Sequence, residues 1–368
     1  MKMFKTALCV FSIGFFALCG IISAVMSDKD FSEDENRSLE QLPEFSVQAL
    51  VDGDYQQQLD TYLCDQTAFR GGFMRVYGTA QKLMGKCEYN NIYLCDDNWI
   101  IDKYNTPKNT EMIAKKLKNI ADTSPASCTL MLVPTAVSIY DEVLPAGLDF
   151  EVTQKETADY IFSNSGMTNV SLWDVFESEK NDTRLFYKTD HHWTTEGAYI
   201  AYTEYCKAMG FEALPESYFE VERVSDSFFG TTYSKALTAF QPADEMYAYK
   251  QSMDGITVTY AGGEGELYWE EYLSKKDKYS YFLGSNQPIV TIENENVSNG
   301  RTLVVVKDSY ANCLVPFLIN HFEKVVVLDT RYYRNGVTYA VEQNEATDVL
   351  FCFNLNTLDT DTAVAGIF

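Results

Sequence analysis

From Ala7 to Met26 the chain runs 20 residues without a charged side chain, and no other stretch limits its possible folds as strongly. A run of about 20 apolar residues crosses a bilayer as a helix, because a helix satisfies its own backbone hydrogen bonds in hydrocarbon. A signal-peptide core needs only about 7–15. Lys2 and Lys5 precede the run and Asp28, Lys29 and Asp30 follow it. The positive-inside rule then leaves the N-terminus in the cytoplasm and exports the rest. The expectation is a single-pass protein of the cell membrane, with residues 1–27 as signal anchor and the bulk on the extracytoplasmic side. Small residues at Ser23, Ala24 and Ser27 keep open the alternative, secretion after signal cleavage.

The 368 residues hold 29 Lys+Arg against 53 Asp+Glu, a net charge of −24. Lys2 and Lys5 lie in the first 27 residues, where there is no acid, so the exported remainder carries −26. Such a domain repels nucleic acid and anionic membrane surfaces. With 46% hydrophobic and 14% aromatic residues it can still bury a large core. Cys128, Cys313 and Cys352 sit in apolar contexts that suit buried thiols. No CxxC pair and no remote Cys/His cluster is present, so neither metal nor cofactor is expected.

Residues 28–107 read as an acidic tether punctuated by Pro43, then a helical pattern from Tyr55 to Met84, then a strand pair. The arms of that pair are Ile92–Leu94 and Trp99–Ile101, turning at Asp96–Asn98. From residue 108 to 368 helices and strands alternate. Helices are expected at Met112–Ala121, Thr153–Phe162 and Glu196–Met209, and strands at Thr129–Val133 and Val170–Trp173. The unbroken apolar runs Leu303–Val306, Val325–Leu328 and Val349–Phe353 suit parallel strands covered on both faces. The fold class that follows is α/β, a three-layer α/β/α sandwich. Residues 212–290, aromatic and acidic, read as an insertion of loops and strands over one end of the sheet.

Only three histidines occur, and two of them stand in Asp190-His191-His192-Trp193. A carboxylate beside an imidazole fixes its tautomer and stabilises its charged form, which makes a general base. In an extended turn Asp190 and His192 share a side, so His192 is the expected base, with Thr194 or Thr195 capping the next helix. A capped helix start with exposed histidines, or a metal site, are the competing readings. Ser309 follows the Leu303–Val306 strand, at the strand-to-helix position where open α/β sheets place active sites. There Asp308 and Ser309 also suit plain helix caps. The backbone N–H at Tyr310 and the side chain of Asn286, on the Gly284-Ser285 turn, are candidate oxyanion donors. Arg331 and Thr135, at two further strand ends, are candidates for substrate binding.

Taken together, these segments resemble the DHHW protein family, which is similar to alginate O-acetyltransferase proteins of the AlgX and AlgJ type and to SGNH hydrolases. The resemblance is carried by Asp65-Gln66, Phe69-Arg70, Leu132-Val133-Pro134-Thr135, Asp190-His191-His192-Trp193, Phe229-Gly230-Thr231, Gly284-Ser285-Asn286 and Lys307-Asp308-Ser309-Tyr310. It implies an SGNH-like sheet with permuted motif order, in which Asp190 orients His192 and Ser309 is the nucleophile. It also implies a serine-dependent O-acetyltransferase or esterase acting on a cell-envelope polysaccharide, supplied by an integral-membrane acyl-donor partner. Lys307 stands where the SGNH pattern has Gly. A non-catalytic, membrane-tethered glycan-binding or scaffold protein on the same fold is the alternative.

Overall fold

The computed structural model describes residues 2–105 and 107–360, so the end of the 108–368 region, residues 361–368, lies outside the described residues. The chain divides into two compact units. One comprises residues 1–86 with 233–241, and the other 87–232 with 242–368.

In the first unit the apolar run is a helix, Lys2–Val25, long and apolar enough to cross a membrane. The helical pattern of residues 55–84 is two helices, Asp54–Asp65 and Arg70–Leu83, because Phe69 takes a left-handed conformation between them. Charge pairs secure that break. Arg37 grips the buried Asp65 through both carboxylate oxygens at 2.6 and 2.9 Å, and Arg70 grips Glu35 at 2.7 and 3.0 Å.

The second unit is built on an eight-stranded sheet. Its strands are β1 (Ser127–Val133), β2 (Thr168–Ser171), β3 (Ile256–Tyr260), β4 (Gly263–Glu264), β5 (Ile289–Asn294), β6 (Thr302–Lys307), β7 (Lys324–Asp329) and β8 (Asp348–Asn354). They lie side by side in the order β4-β3-β5-β7-β6-β8-β1-β2. The block β7-β6-β8-β1-β2 is parallel, and β5, β3 and β4 extend it antiparallel. Successive side chains of a strand face opposite ways. Residues 303–306, 325–328 and 349–353 are all at most 1% exposed, so both faces of the parallel block are covered, as the apolar runs implied. The observed helices Thr110–Thr123, Gln154–Ser165 and Thr195–Met209 match the expected ones to within three residues at each end.

Residues 212–290 depart from the expected covering insertion. Their first half forms a hairpin of its own, Glu220–Phe228 with Asp244–Lys250, while β3 and β4 widen the sheet. A strand such as β3, with only one face well buried, lacks the unbroken apolar run that marks the parallel block. Around the 92–102 hairpin, Glu88–Tyr89 adds a third strand.

Four parallel-block strands end on one edge, each followed by a turn carrying polar side chains. Val133 leads to Thr135, Lys307 to Ser309, Asp329 to Arg331, and Asn354 itself closes β8. Because β5 is antiparallel, with Ile289 opposite Leu328, Asn286 precedes it at the same edge. The segment Asp190–His192 is a loop whose base is closed by an antiparallel bridge between Phe186 and Trp193. Thr194 then caps the Thr195–Met209 helix by accepting the Gly197 N–H at 3.1 Å. A Cβ at Gly197 would meet the Leu185 carbonyl oxygen at 2.6 Å. Gly197→Ala is therefore expected to destabilise the protein by about 1–3 kcal/mol, as overpacking does, although Ala is the better helix former. Urea denaturation measures the change, and an unchanged or raised midpoint would contradict this packing.

Candidate active site

Asp190 is 4% exposed and accepts four hydrogen bonds. Its Oδ1 receives the His192 backbone N–H at 3.0 Å and the ring Nδ1–H at 2.5 Å. Its Oδ2 receives the Thr231 N–H at 2.7 Å and the Thr231 hydroxyl at 3.1 Å. Gly230 lies so close that any Cβ there would collide with the Asp190 side chain, which gives Phe229-Gly230-Thr231 its steric reason. Burial alone would raise the Asp190 pKa, but the His192 and His191 imidazoles, with the Thr231 N–H, more than offset it and hold the carboxyl well below the usual range.

On the other side of the ring, His192 Nε2 lies 2.8 Å from Ser309 Oγ. With Nδ1–H committed to Asp190, Nε2 is the acceptor and the Ser309 hydroxyl the donor. Burial, followed by the charge of His191, lowers the His192 pKa to about 4 despite Asp190. The ring is therefore neutral at neutral pH. It stacks on Tyr279, with centroids 3.7 Å apart and planes 10° apart, which fixes its orientation.

Ser309 opens a short 3-10 turn, Ser309–Cys313, capped by Asp308. Asp308 Oδ1 accepts the Tyr310 N–H at 2.9 Å, and Oδ2 accepts the Asn354 N–H and side-chain amide at 2.8 and 2.7 Å. The N–H assigned from sequence to an oxyanion is thus engaged. The N–H of Ser309, at the first position of the turn, has no intrahelical partner by helix geometry. Tyr310 instead ties the two segments together. Its hydroxyl donates to the His191 carbonyl, and its own carbonyl accepts Trp193 Nε1–H at 2.8 Å and the Tyr279 hydroxyl at 3.2 Å.

The other sequence candidates fare differently. Asn286 Oδ1 accepts from Lys307 Nζ at 3.4 Å, which leaves its NH2 group as the outward donor. Arg331 forms a two-point ion pair with the buried Asp329 at 2.9 and 2.6 Å. Thr135 belongs to a separate buried network, exchanging hydrogen bonds with Gln154 at 3.0 and 2.9 Å. His191, without a role from sequence, bonds through Nδ1 to Thr231 Oγ1 at 2.6 Å. Sequence reasoning missed Thr231 and Tyr279 as partners of the pair. Glycine at 230 was the signal for the first, and Tyr279 is one of many aromatics with no local mark. Asp190, His191 and His192 also bring potential metal-ligand atoms within 4.8 Å of one another, but the Nδ1 atoms of both rings are already bonded to Asp190 and Thr231.

Removing the Asp190 charge removes an influence that raises the His192 pKa, so Asp190→Asn is expected to move that pKa below about 4. Long-range 1H–15N spectra of the imidazoles follow the titration. A His192 that titrates near 6.5, or one that rises in the variant, would refute this electrostatic account.

The family model described as DHHW protein matches residues 82–328. Among solved structures, a DHHW family protein from Eubacterium siraeum is 27% identical, with a TM-score of 0.67, over 76% of this chain and 95% of that one. Bacillus cereus PatB1 carrying a sulfonyl adduct is 21% identical, with a TM-score of 0.61, over 74% and 97%. The O-acetyltransferase domain of Pseudomonas putida AlgJ is 13% identical, with a TM-score of 0.47, over 74% and 93%. Among curated proteins none matches the chain.

Proposed function

The chain belongs to the DHHW protein family, and from that premise we propose that it is an extracytoplasmic serine O-acyltransferase or esterase acting on a cell-envelope polysaccharide. The observation that carries the proposal is the unbroken relay from Asp190 Oδ1 through His192 to Ser309 Oγ, at 2.5 and 2.8 Å. Such an arrangement activates a hydroxyl as a nucleophile.

In the first step Ser309 Oγ bonds to the carbonyl carbon of an acyl donor while its proton passes to His192 Nε2. Asp190, hydrogen-bonded at Nδ1, stabilises the imidazolium. The bond to the leaving group breaks, and that group takes the proton from Nε2. In the second step a sugar hydroxyl, or water, gives its proton to His192 as its oxygen attacks the acyl carbon. Ser309 leaves and regains a proton from the imidazolium. The Ser309 N–H and the Asn286 amide are the proposed oxyanion donors, with Arg331 toward substrate. Residues 1–27 anchor the domain outside the membrane, where acyl-CoA is not available, so an integral-membrane partner delivers the acyl group.

One observation favours the second reading, a tethered glycan-binding protein without turnover. The Tyr310 N–H is taken by Asp308, which leaves one backbone donor fewer for an oxyanion. One experiment separates the two. The exported domain is incubated with p-nitrophenyl acetate and with an aryl sulfonyl fluoride, then digested for mass spectrometry. Expected is an adduct on Ser309 alone, absent in Ser309→Ala and slowed at least a hundredfold in His192→Ala, in keeping with the usual contribution of a general base. Equal modification of wild type and both variants, or none of Ser309, would leave the binding reading.

A further inference from the structure

Two strands from β6 on the same edge of the sheet, beyond the end of β1, is a cavity of about 390 Å3 lined by Tyr104, Val137, Phe150, Gln154, Trp173 and Asp174 among others. A second of about 220 Å3 shares Tyr104 and Phe150 and adds Asp149, Glu151 and Lys103, the last paired with Glu88. The shared wall puts the two in series, as a groove for something longer than one ring. The larger falls within the roughly 300–1,000 Å3 of ordinary ligand pockets.

The lining selects a ligand class. The polar edges of the aromatics are occupied, since Trp173 Nε1–H donates to Ser138 Oγ at 3.0 Å and the Tyr104 hydroxyl bonds Thr157 Oγ1 at 2.9 Å. Both rings are at most 7% exposed, so the ring surface open to a ligand is that of the half-buried Phe150, whose carbon face suits the apolar face of a sugar. The rim is acidic, with Asp141, Asp174 and Glu177. Lys180 pairs with Asp141 at 3.8 Å and Glu177 at 3.0 Å, and Lys155 is drawn to Asp159 at 3.1 Å. Among the described residues no cation pairs with Asp174. Carboxylates accept hydrogen bonds from hydroxyl and ammonium groups and repel other carboxylates. The net charge of −24 acts in the same direction over longer range.

The groove is also tied to the Ser309 turn. Val133, at the end of β1, pairs with Asn354, and Asn354 holds Asp308. With neighbouring strands about 4.8 Å apart, β1 ends on the order of 10 Å along the edge from β6. We infer that this groove is a second subsite, holding sugar residues without carboxylate groups, neutral or amine-bearing, of the polysaccharide whose hydroxyl reaches Ser309. The inference rests on the acyl-transfer reading for its purpose, and a polyuronate such as alginate is excluded as the polymer it holds.

Titration calorimetry of the full chain in detergent tests it with three probes, the β-1,4 N-acetylglucosamine tetramer, the β-1,4 glucosamine tetramer and a guluronate tetramer. Expected is binding of the first two, with guluronate at least tenfold weaker. Asp174→Lys, at an exposed position, and Phe150→Ala should each weaken the binding tenfold or more. Guluronate binding as tightly as the others, no binding of the first two, or no effect of either variant overturns the subsite. Acylation of wild-type Ser309 is scored separately. Sugar binding without acylation removes the acyl-transfer reading and keeps the groove, whereas acylation without sugar binding removes the groove alone.

Discussion

The arrangement around Ser309 depends on keeping one buried carboxylate charged. Taking a carboxylate out of water costs several kcal/mol unless fixed donors replace its hydration. Asp190 receives four, two from His192 and two from Thr231. Two of these are backbone N–H groups, so the chain path rather than a rotamer sets their direction. Gly230 matters for the same reason, since the 229–231 segment can approach only without a Cβ. With Asp190 ionised, the proton of His192 is confined to Nδ1, and Nε2 is left to accept from Ser309.

Ser309 and His192 are 117 residues apart in sequence, so their 2.8 Å contact needs support from elsewhere. Tyr310 provides it with both its side chain and its carbonyl. The hydroxyl holds the His191 carbonyl, and the carbonyl receives Trp193 and Tyr279. Trp193 and Tyr310 are at most 1% exposed, which makes the clamp part of the core instead of a surface contact. This explains why the fourth residue of the Asp190–Trp193 segment is an indole. It supplies bulk for the core and a single N–H donor in a fixed direction.

Where residues speak through local rules, the sequence was sufficient. The apolar runs of β6, β7 and β8 declared parallel strands, and Thr194 declared a helix start. The pairing of Asp190 with His192 followed from their spacing by two, a local geometry. Its connection to Ser309 had no local mark and came from resemblance. The Tyr310 N–H, read as an oxyanion donor, donates to Asp308, because a capping carboxylate adjacent in sequence competes for the same donor. Thr135 stands apart from the Ser309 turn for a different reason. A strand end places it on the correct edge, but its partner Gln154 comes from a helix whose position no local pattern reveals. Strands β3 and β4 were lost in a stretch of mixed character, where partial exposure blurs the pattern.

Lys307 is the residue at which sequence and structure differ most instructively. Beside Asp308-Ser309 it reads as a misplaced charge where glycine is expected. In the fold its ammonium is buried, lying 2.6 Å from Asn312 Oδ1, 3.4 Å from Asn286 Oδ1 and 3.5 Å from Asp329 Oδ2. Burial lowers its pKa, and Asp329 works against that. Arg331 holds the same carboxylate, so two cations share one anion beneath the Ser309 turn. Asp308 is the next acid available, but burial pushes its pKa up to about 6 even with Lys307 and Arg331 nearby. With all four groups ionised, Lys307 and Arg331 are matched by Asp329 and Asp308. Lys307 also bonds the side-chain oxygens of Asn286 and Asn312, so the residue that departs from glycine ties the 284–286 turn to the Ser309 turn.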